Sequence, residues 1–286
     1  MPSLSDIIAA TRRRVRESIS TADFDQLEQQ AAGHSPRGFR RALESAGTSG
    51  VAIIAELKKA SPSRGVIRSD FDPAKLAREL DEAGSAALSV LTDQEFFQGS
   101  HENLRIASTE TRLPCLRKDF IIDEFQILEA RANCADAVLL IAAALADQDL
   151  VALTKRAQEF ELDVLLEVHD EDELGRALDA GCDLVGVNSR DLHTFKVDLN
   201  TALRLAKLLP PEVTAVAESG IESARDIAQL RSAGYNAFLI GETLMKAPVP
   251  GDALRRLIEE AGAAGAEGME SRKSGLPTAE ALRKNR

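Results

Sequence analysis

The 286-residue sequence contains no tryptophan and a single tyrosine, and aromatic residues make up only 4% of it. So few aromatic side chains argue against a platform on which the bases of single-stranded nucleic acid would stack. The chain also lacks any apolar run approaching the ~20 residues that cross a bilayer. We therefore expect it to bind neither nucleic acid nor a membrane.

Cysteines and metal-binding histidine patterns are also scarce. The three cysteines (Cys115, Cys134 and Cys182) are odd in number and unclustered, which predicts reduced, buried thiols in a cytoplasmic protein. The four histidines form no H-x-x-x-H or H-E-x-x-H motif, so no metal site is expected.

Basic residues are fewer than acidic ones, and the net charge is −11. This balance disfavours a general binder of nucleic acid or anionic membranes, although a local basic cluster can still attract a small anionic substrate. The first 20 residues carry four arginines but no apolar core, so they are not a secretory signal. An amphipathic surface helix is favoured there, and a transit peptide is the alternative.

From Val51 onward, apolar strand-like runs alternate with segments of helical period. The runs begin near residues 51, 86, 113, 137, 163, 184, 214 and 237, and the segments include 147–160, 170–180, 198–209, 222–233 and 251–261. Glycines 84, 181 and 234 each follow an alanine at a helix end, where a left-handed residue is favoured.

Eight strands, each followed by a helix, predict a single (β/α)8 TIM barrel of the α/β class. An open doubly wound sheet is the alternative, but it normally has a glycine-rich turn after its first strand. We expect residues 1–50 to form an N-terminal helical extension, 51–261 the barrel and catalytic domain, and 262–286 a flexible C-terminal tail.

The first strand-like run, Val51 to Ala55, turns abruptly polar at Glu56 and Lys58. A period of two residues puts these two side chains on the same side of the strand. Burying both charges is costly unless they meet each other or a ligand. A surface ion pair and a functional site explain this pattern equally well.

Polar residues follow most of the other strands too, and the carboxyl ends of TIM-barrel strands carry the active site. They are Arg117, Lys118 and Asp119, then Glu167 and His169, then Asn188, Ser189 and Arg190, then Glu218, Ser219 and Gly220, and finally Gly241 and Glu242. The glycines near 220 and 241 also fit a phosphate cradle after strands seven and eight.

Several of these residues have an ordinary structural explanation. Lys118 fits a solvated loop lysine as well as a functional one, Asn188 could bond loop backbone, and Arg190 could form a surface ion pair. His169 is interpreted as capping or packing, and Asp170 with Glu173 has capping-box spacing. Only Glu167, between two apolar residues, favours function on its own, because an unpaired buried carboxylate would be costly.

Six segments together resemble a known family. They are Glu56-Leu-Lys58-Lys-Ala-Ser61-Pro62-Ser63, Leu116-Arg-Lys118-Asp-Phe120, Leu165-Leu-Glu167-Val-His, Gly186-Val-Asn188-Ser-Arg190-Asp-Leu, Glu218-Ser219-Gly220-Ile and Ile240-Gly241-Glu242-Thr-Leu-Met. In this order they resemble indole-3-glycerol phosphate synthase, over residues 51 to 261. The first segment is specific to the family, whereas the Ser-Gly and Gly-Glu pairs recur in other phosphate-binding barrels.

The resemblance implies a carboxy-lyase of tryptophan biosynthesis, EC 4.1.1.48, that acts on a small phosphorylated anion, 1-(2-carboxyphenylamino)-1-deoxyribulose 5-phosphate. An aromatic carbon attacks the C2′ carbonyl, carbon dioxide leaves, and loss of water gives indole-3-glycerol phosphate. The family needs no cofactor or metal. A cytoplasmic monomer is expected, and weak association with other tryptophan-pathway enzymes is left open.

The resemblance also implies residue roles. Lys118 matches the general acid, Lys58 the cation for the anthranilate carboxylate, and Glu167 one member of an acid/base pair, with Glu56 and Asn188 orienting these groups. The expected substrate-binding residues are Ser61, Phe97, Phe120, Arg190, Glu218, Ser219, Gly220, Gly241 and Glu242. Phe97 and Phe120 would flank the anthranilate ring.

Two further expectations concern Lys118 and the loop from Lys59 to Asp70. A lysine acts as an acid near neutral pH when burial or a neighbouring cation lowers its pKa, so Lys118 is predicted in a dry pocket or near Lys58. The loop is predicted to close over the substrate. Alternative functions are a Schiff-base sugar-phosphate aldolase, using Lys118 or Lys58, and a non-catalytic sugar-phosphate sensor.

Overall fold

A closed barrel of eight parallel strands forms the centre of the computed structural model, which describes residues 2–192 and 194–274 and, up to residue 263, their side chains. The barrel strands are β1 (Ala52–Leu57), β2 (Ala87–Leu91), β3 (Cys115–Lys118), β4 (Ala137–Ile141), β5 (Asp163–Val168), β6 (Leu184–Asn188), β7 (Thr214–Glu218) and β8 (Ala237–Ile240). Each strand pairs with the next, and β8 closes on β1 with Ala52 opposite Ala237.

Helices surround this barrel on its outside and at its two ends. They are α1 (Leu4–Thr21), α2 (Phe24–Gly33), α3 (Phe39–Ser49), α4 (Pro73–Glu82), α5 (Gln94–Phe97), α6 (His101–Glu110), α7 (Glu124–Ala132), α8 (Asp147–Glu159), α9 (Glu171–Asp179), α10 (Leu199–Leu205), α11 (Ala224–Ala233), α12 (Glu242–Lys246) and α13 (Pro250–Ser274), with a 3-10 turn at Ala142–Ala144.

The strands are apolar throughout because both of their faces are covered. One cluster of buried side chains fills the space between strands and outer helices, and a second, including Ile54, Leu116 and Leu165, fills the barrel interior. Phe39 and Leu43 of α3 are fully buried against the alanines that begin the strands. Helix α3 therefore closes the amino-terminal end of the barrel and leaves the other end open.

The TIM-barrel prediction is confirmed, and the open doubly wound sheet is wrong. Predicted strand starts fall within two residues of those observed. Gly84, Gly181 and Gly234 all have positive φ, as expected of residues that end helices. The N-terminus forms an amphipathic helix, with Ser3 and Asp6 in a capping box.

Some local expectations differ from the structure. Helix α11 begins at Ala224 and not at 222, because Ser223 caps it. Asp170 caps α9 as predicted, but the Glu173 carboxylate accepts a hydrogen bond from the backbone N–H of His169 instead of Asp170. Cys115 and Cys182 are buried free thiols, whereas Cys134 is only half-buried.

Only part of the predicted C-terminal tail lies within the described residues. Helix α13 continues past residue 261 to Ser274. Residues 275–286 and the side chains from 264 onward lie outside the described residues, so a flexible tail over 262–286 remains a prediction. Among the described residues, no helix has the length and apolar character needed to cross a membrane.

Candidate active site

One cavity of about 910 Å³ opens at the carboxyl ends of the barrel strands. All fourteen predicted site residues line it: Glu56, Lys58, Ser61, Phe97, Lys118, Phe120, Glu167, Asn188, Arg190, Glu218, Ser219, Gly220, Gly241 and Glu242. They come from every barrel strand end except that of β4, or from the loops that follow, so closure of the barrel brings together segments far apart in the chain.

The polar end of β1 and the residue just after it form an ion pair inside this cavity. Glu56 is the fifth residue of β1 and is buried, and Lys58 Nζ lies 2.5 Å from Glu56 Oε1. The two charged groups contact each other, as expected for strand residues two positions apart. Both side chains also line the cavity. The expected ion pair therefore forms, but in the cavity and not at the protein surface, and its functional role stays a prediction.

Lys118 is held between two carboxylates at the end of β3. Its Nζ donates hydrogen bonds to Glu167 Oε2 at 2.7 Å and to Glu218 Oε2 at 2.8 Å. The other oxygen of Glu167 accepts a hydrogen bond from Asn188 Nδ2 at 3.0 Å. These four side chains from β3, β5, β6 and β7 thus form one connected polar cluster.

The charge state of Lys118 differs from the sequence expectation. Burial alone would lower the pKa of this amine, but Glu167, Glu218 and Glu56 outweigh burial and raise the pKa of Lys118 well above its usual value. The prediction of a lowered pKa is wrong because it considered a dry pocket and a neighbouring cation, and omitted the two carboxylates. Lys118 is an ammonium at neutral pH.

The two carboxylates on Lys118 have different proton affinities. Burial raises the pKa of Glu218 to about 7, although Lys118 opposes this effect. Burial also disfavours ionised Glu167, but there Lys118 and His169 prevail and hold its pKa well below the usual range. Neighbouring carboxylates with separated pKa values are the arrangement that divides acid and base roles between two groups.

The loops after β7 and β8 form the other end of the cavity. Ser219 and Gly220 have φ of 64° and 78°, so two consecutive left-handed residues turn the chain sharply after β7. A Cβ on Gly220 would lie 2.5 Å from Val197 Cγ1. Only glycine allows this close approach, and a backbone turn of this kind can direct its N–H groups toward an anion.

Glu242, the first residue of α12, is surrounded by cations from three segments. Its carboxylate lies 3.0 Å from Arg64, 3.7 Å from Arg190 and 2.5 Å from Lys246. Burial opposes ionisation, but Lys246 and Arg64 lower the pKa of Glu242. The cavity end beside Gly220 and Gly241 is therefore rich in positive charge, despite the acidic chain.

Aromatic and aliphatic side chains form one wall. The rings of Phe97 and Phe120 lie with centroids 6.3 Å apart and planes at 42°. Leu4 and Ile7 of α1 also line the cavity. This wall is suited to a flat apolar group, and the charged residues elsewhere in the cavity are suited to the polar parts of the same ligand.

Sequence reasoning missed the part played by the N-terminal helix. Arg14 of α1 donates hydrogen bonds to Asp93 at 2.7 Å and Asp119 at 3.2 Å, which lie at the ends of β2 and β3. Its partners are 79 and 105 residues away, so no local pattern indicated the contact. These two hydrogen bonds hold α1 across the cavity mouth.

No metal-binding cluster is evident in the described part of the chain, where no three His, Cys, Asp or Glu side chains are grouped to hold an ion. That the reaction needs neither cofactor nor metal stays a prediction.

Comparison with known proteins agrees with this geometry. Residues 4–257 match the family model described as indole-3-glycerol phosphate synthase. The chain belongs to the indole-3-glycerol phosphate synthase family. The predicted resemblance is confirmed, and the match extends into the N-terminal helices.

Relatives of the same name support this assignment across nearly the full chain. Indole-3-glycerol phosphate synthase of Koribacter versatilis is 58% identical over 256 residues, covering 90% of this chain and 98% of that protein. The protein of that name from Acinetobacter baylyi is 48% identical, covering 89% of this chain and 94% of its own length.

Solved structures with low sequence identity share the barrel alone. The thiamine phosphate pyrophosphorylase of Pyrococcus furiosus has a TM-score of 0.58 at 16% identity, covering 76% of this chain and 98% of that one. The 3-hexulose-6-phosphate synthase of Salmonella typhimurium has a TM-score of 0.59 at 12% identity, covering 76% and 99%.

Proposed function

We propose that this chain converts 1-(2-carboxyphenylamino)-1-deoxyribulose 5-phosphate into indole-3-glycerol phosphate, a step of tryptophan biosynthesis. Family membership supports the overall reaction. The residue roles rest on one observation, which is that the Lys118 ammonium lies between Glu167 and Glu218. These groups line a cavity that has an aromatic wall at one side and Gly220 and Gly241 at the other.

The reaction has a defined proton balance. The aromatic carbon that bears the carboxylate bonds to C2′, and the C2′ carbonyl oxygen takes up two protons before it leaves as water. One proton is lost from C1′, and the carboxylate leaves as neutral carbon dioxide. Each turnover therefore takes up one proton from solution, so the site must both donate and remove protons.

Lys118 donates to the C2′ carbonyl oxygen during ring closure. Because its pKa is raised, the ammonium form is present throughout the neutral range, and its charge stabilises the alkoxide as it develops. Glu167 exchanges protons in the dehydration that follows. Glu56 and Asn188 hold Lys58 and Glu167 in place.

The two ends of the cavity bind different parts of the substrate. Lys58 pairs with the anthranilate carboxylate, and Phe97 and Phe120 flank its ring. Backbone N–H groups near Gly220 and Gly241 hold the phosphate, with Ser219 beside them and Arg190 supplying charge. Ser61 lines the cavity from the loop after β1, and its buried hydroxyl has no hydrogen-bond partner among the described residues, so it is free to bond the substrate.

The aldolase alternative is disfavoured by the charge of Lys118. A Schiff base requires a neutral amine, and two carboxylates keep this amine protonated. Borohydride added with a phosphorylated keto-sugar should leave no covalent adduct on the protein. An adduct on Lys118 or Lys58 would favour the aldolase.

The direct test supplies the carboxyphenylamino-deoxyribulose phosphate to purified protein in the presence of a metal chelator, without nucleotide. We expect indole fluorescence to appear together with an equal amount of carbon dioxide. Fluorescence without carbon dioxide, or activity only after metal is added, would contradict the proposal. We further propose a cytoplasmic monomer, which fractionation and sedimentation measurements test.

A further inference from the structure

His169 lies beside the carboxylate of Glu167, two residues further along the chain and one residue past the end of β5. Its Nε2 is 3.4 Å from Glu167 Oε1, and its Nδ1 is 3.0 Å from Glu173 Oε2. Nε2 is shielded from solvent and has no hydrogen-bond partner among the described residues. A buried ring nitrogen thus faces Glu167 at a distance slightly too long for a good hydrogen bond.

Glu173 determines which ring nitrogen keeps its proton. A carboxylate at 3.0 Å holds a proton on Nδ1, so Nε2 is the nitrogen that can gain or lose one toward Glu167. The backbone N–H of His169 separately donates to the same Glu173 oxygen at 2.8 Å. Any residue other than proline at 169 would keep this backbone contact, so it does not explain the imidazole.

We propose that His169 is a proton reservoir for the reaction: in each turnover Nε2 gives its proton to Glu167 Oε1, and after product release a solvent proton returns to Nε2 through Glu167, which lines the open cavity. Glu173 holds the ring in position throughout. The inference rests on the proposed function, because that reaction takes up one proton per turnover. His169 is a positioning residue that acts through Glu167 and does not touch substrate.

Neighbouring charges keep His169 protonated between turnovers. Burial lowers the pKa of His169, but Glu167 and Glu173 outweigh burial and raise it to about 10. Lys118 lies on the other oxygen of Glu167, with Glu218 beyond it, and neutral Asn188 donates to the oxygen that His169 faces. Glu167 therefore sits between two cations. Once Lys118 has given its proton to the substrate, Glu167 can take a proton from His169 and pass one to Lys118.

Three variants separate proton donation from packing. His169→Ala leaves a space beside Glu167, and His169→Gln fills that space with an amide that can hydrogen-bond but cannot supply a proton. His101→Gln is the matched control, since His101 pairs with Glu129 outside the cavity lining. We expect kcat to fall about tenfold or more in both His169 variants, with KM changed by less than about twofold, because positioned proton transfer contributes about 10²–10⁴-fold.

Added imidazole should restore kcat in His169→Ala, most strongly at pH below about 6.5, where imidazole is protonated. It should leave His101→Gln unchanged. Wild-type kcat in His169→Gln, unchanged kcat in His169→Ala, or no effect of imidazole at any pH would overturn the proposal. Recovery by glutamine would instead indicate a hydrogen-bonding role alone.

A measurement without turnover keeps the inference testable if the variants fold poorly. Nuclear magnetic resonance titration of the wild-type protein should give a His169 pKa well above the usual value, and Glu167→Gln should lower it. An equal His169 pKa in both proteins would overturn the proposal. If wild-type protein forms no indole product, the proposed function fails, and the titration still reports on the contact between His169 and Glu167.

Discussion

Gly186 of β6 leaves the space that the Glu218 carboxylate of β7 occupies. A Cβ on Gly186 would overlap Oε1 of Glu218. Gly241 stands in the same relation to Glu56, whose Oε1 and Cβ fill the position of the missing side chain. Gly186 within β6 and Gly241 just after β8 thus make room for two buried carboxylates of the cavity.

Substituting Gly186 by alanine should therefore displace Glu218 and, through it, Lys118. Misplacing a catalytic group by about 1 Å can cost roughly 10²-fold, so we expect a loss of that order in kcat. Overpacking should also lower the free energy of unfolding by about 1–3 kcal/mol. Steady-state kinetics and urea unfolding measure the two effects.

Gly175→Ala is the matched control, because a Cβ at that helical position meets nothing within 4 Å. It should retain wild-type kcat and gain about 0.5–1 kcal/mol in stability from the better helix former. Equal kcat in the two alanine variants would show that Gly186 does not position Glu218.

A buried cluster joins the N-terminal helices to the start of β4 and predicts a pH-dependent stability. His34 Nε2 lies 3.2 Å from Asp136, whose carboxylate also accepts from Arg37 and from the backbone of Cys115. The hydrogen bond to Asp136 raises the pKa of His34 to about 9. His34 therefore binds its proton more tightly in the folded chain than in the unfolded one.

Because the folded pKa is the higher, the stabilisation is fully present below about pH 6.5 and is lost as pH rises through about 9. We expect wild type to exceed His34→Gln by about 1–3 kcal/mol in unfolding free energy at low pH, and the gap to close above pH ~10. Urea unfolding at the two pH values measures it. A gap that is the same at both would contradict the assignment.

Arg14 is expected to couple the N-terminal helix to the cavity. Arg14→Ala removes hydrogen bonds to buried Asp93 and Asp119, which should cost about 1.5–3 kcal/mol in stability. KM should also rise, since Leu4 and Ile7 of the same helix line the cavity. Exposed Arg13→Ala serves as control. If the two variants unfold at the same urea concentration, Arg14 does not anchor α1.

The loop from Lys59 to Asp70 is expected to close on substrate, as its sequence predicted. Its tip is tied to α12 by the Arg64–Glu242 pair, and buried Arg68 donates to the carbonyls of Met245 and Ala247 near its base. A phosphate beside Glu242 would change the contacts of the tip only. Trypsin cleavage at Arg64 should slow when a substrate analogue with a reduced C2′ carbonyl binds; equal cleavage would contradict closure.

Regular patterns in the sequence predicted the barrel and its polar rim. Residues such as Glu167, between two apolar neighbours, stood out because a short strand places each side chain on a known face. The charge of Lys118 could not be predicted in this way. It depends on Glu167 and Glu218, which lie 49 and 100 residues away and meet Lys118 only after the barrel closes.

Small residues, and residues that act through a neighbouring side chain, were harder still to recognise. Gly186 looked like an ordinary strand residue, because its importance lies in the volume taken by Glu218. His169 did carry a usable signal, since the period of two, extended one residue past β5, puts positions 167 and 169 on the same side of the chain. The adjacent helix start drew the interpretation toward capping, a role that the backbone of His169 fulfils without its side chain.

The central claim, that Lys118 is the acid for ring closure, is tested most directly by the kcat of Lys118→Ala in the indole fluorescence assay, with exposed Lys207→Ala as control. We predict that kcat falls at least about 10²-fold in Lys118→Ala, while the phosphate group still binds and the control is unaffected. A kcat near that of wild type in Lys118→Ala would contradict the account.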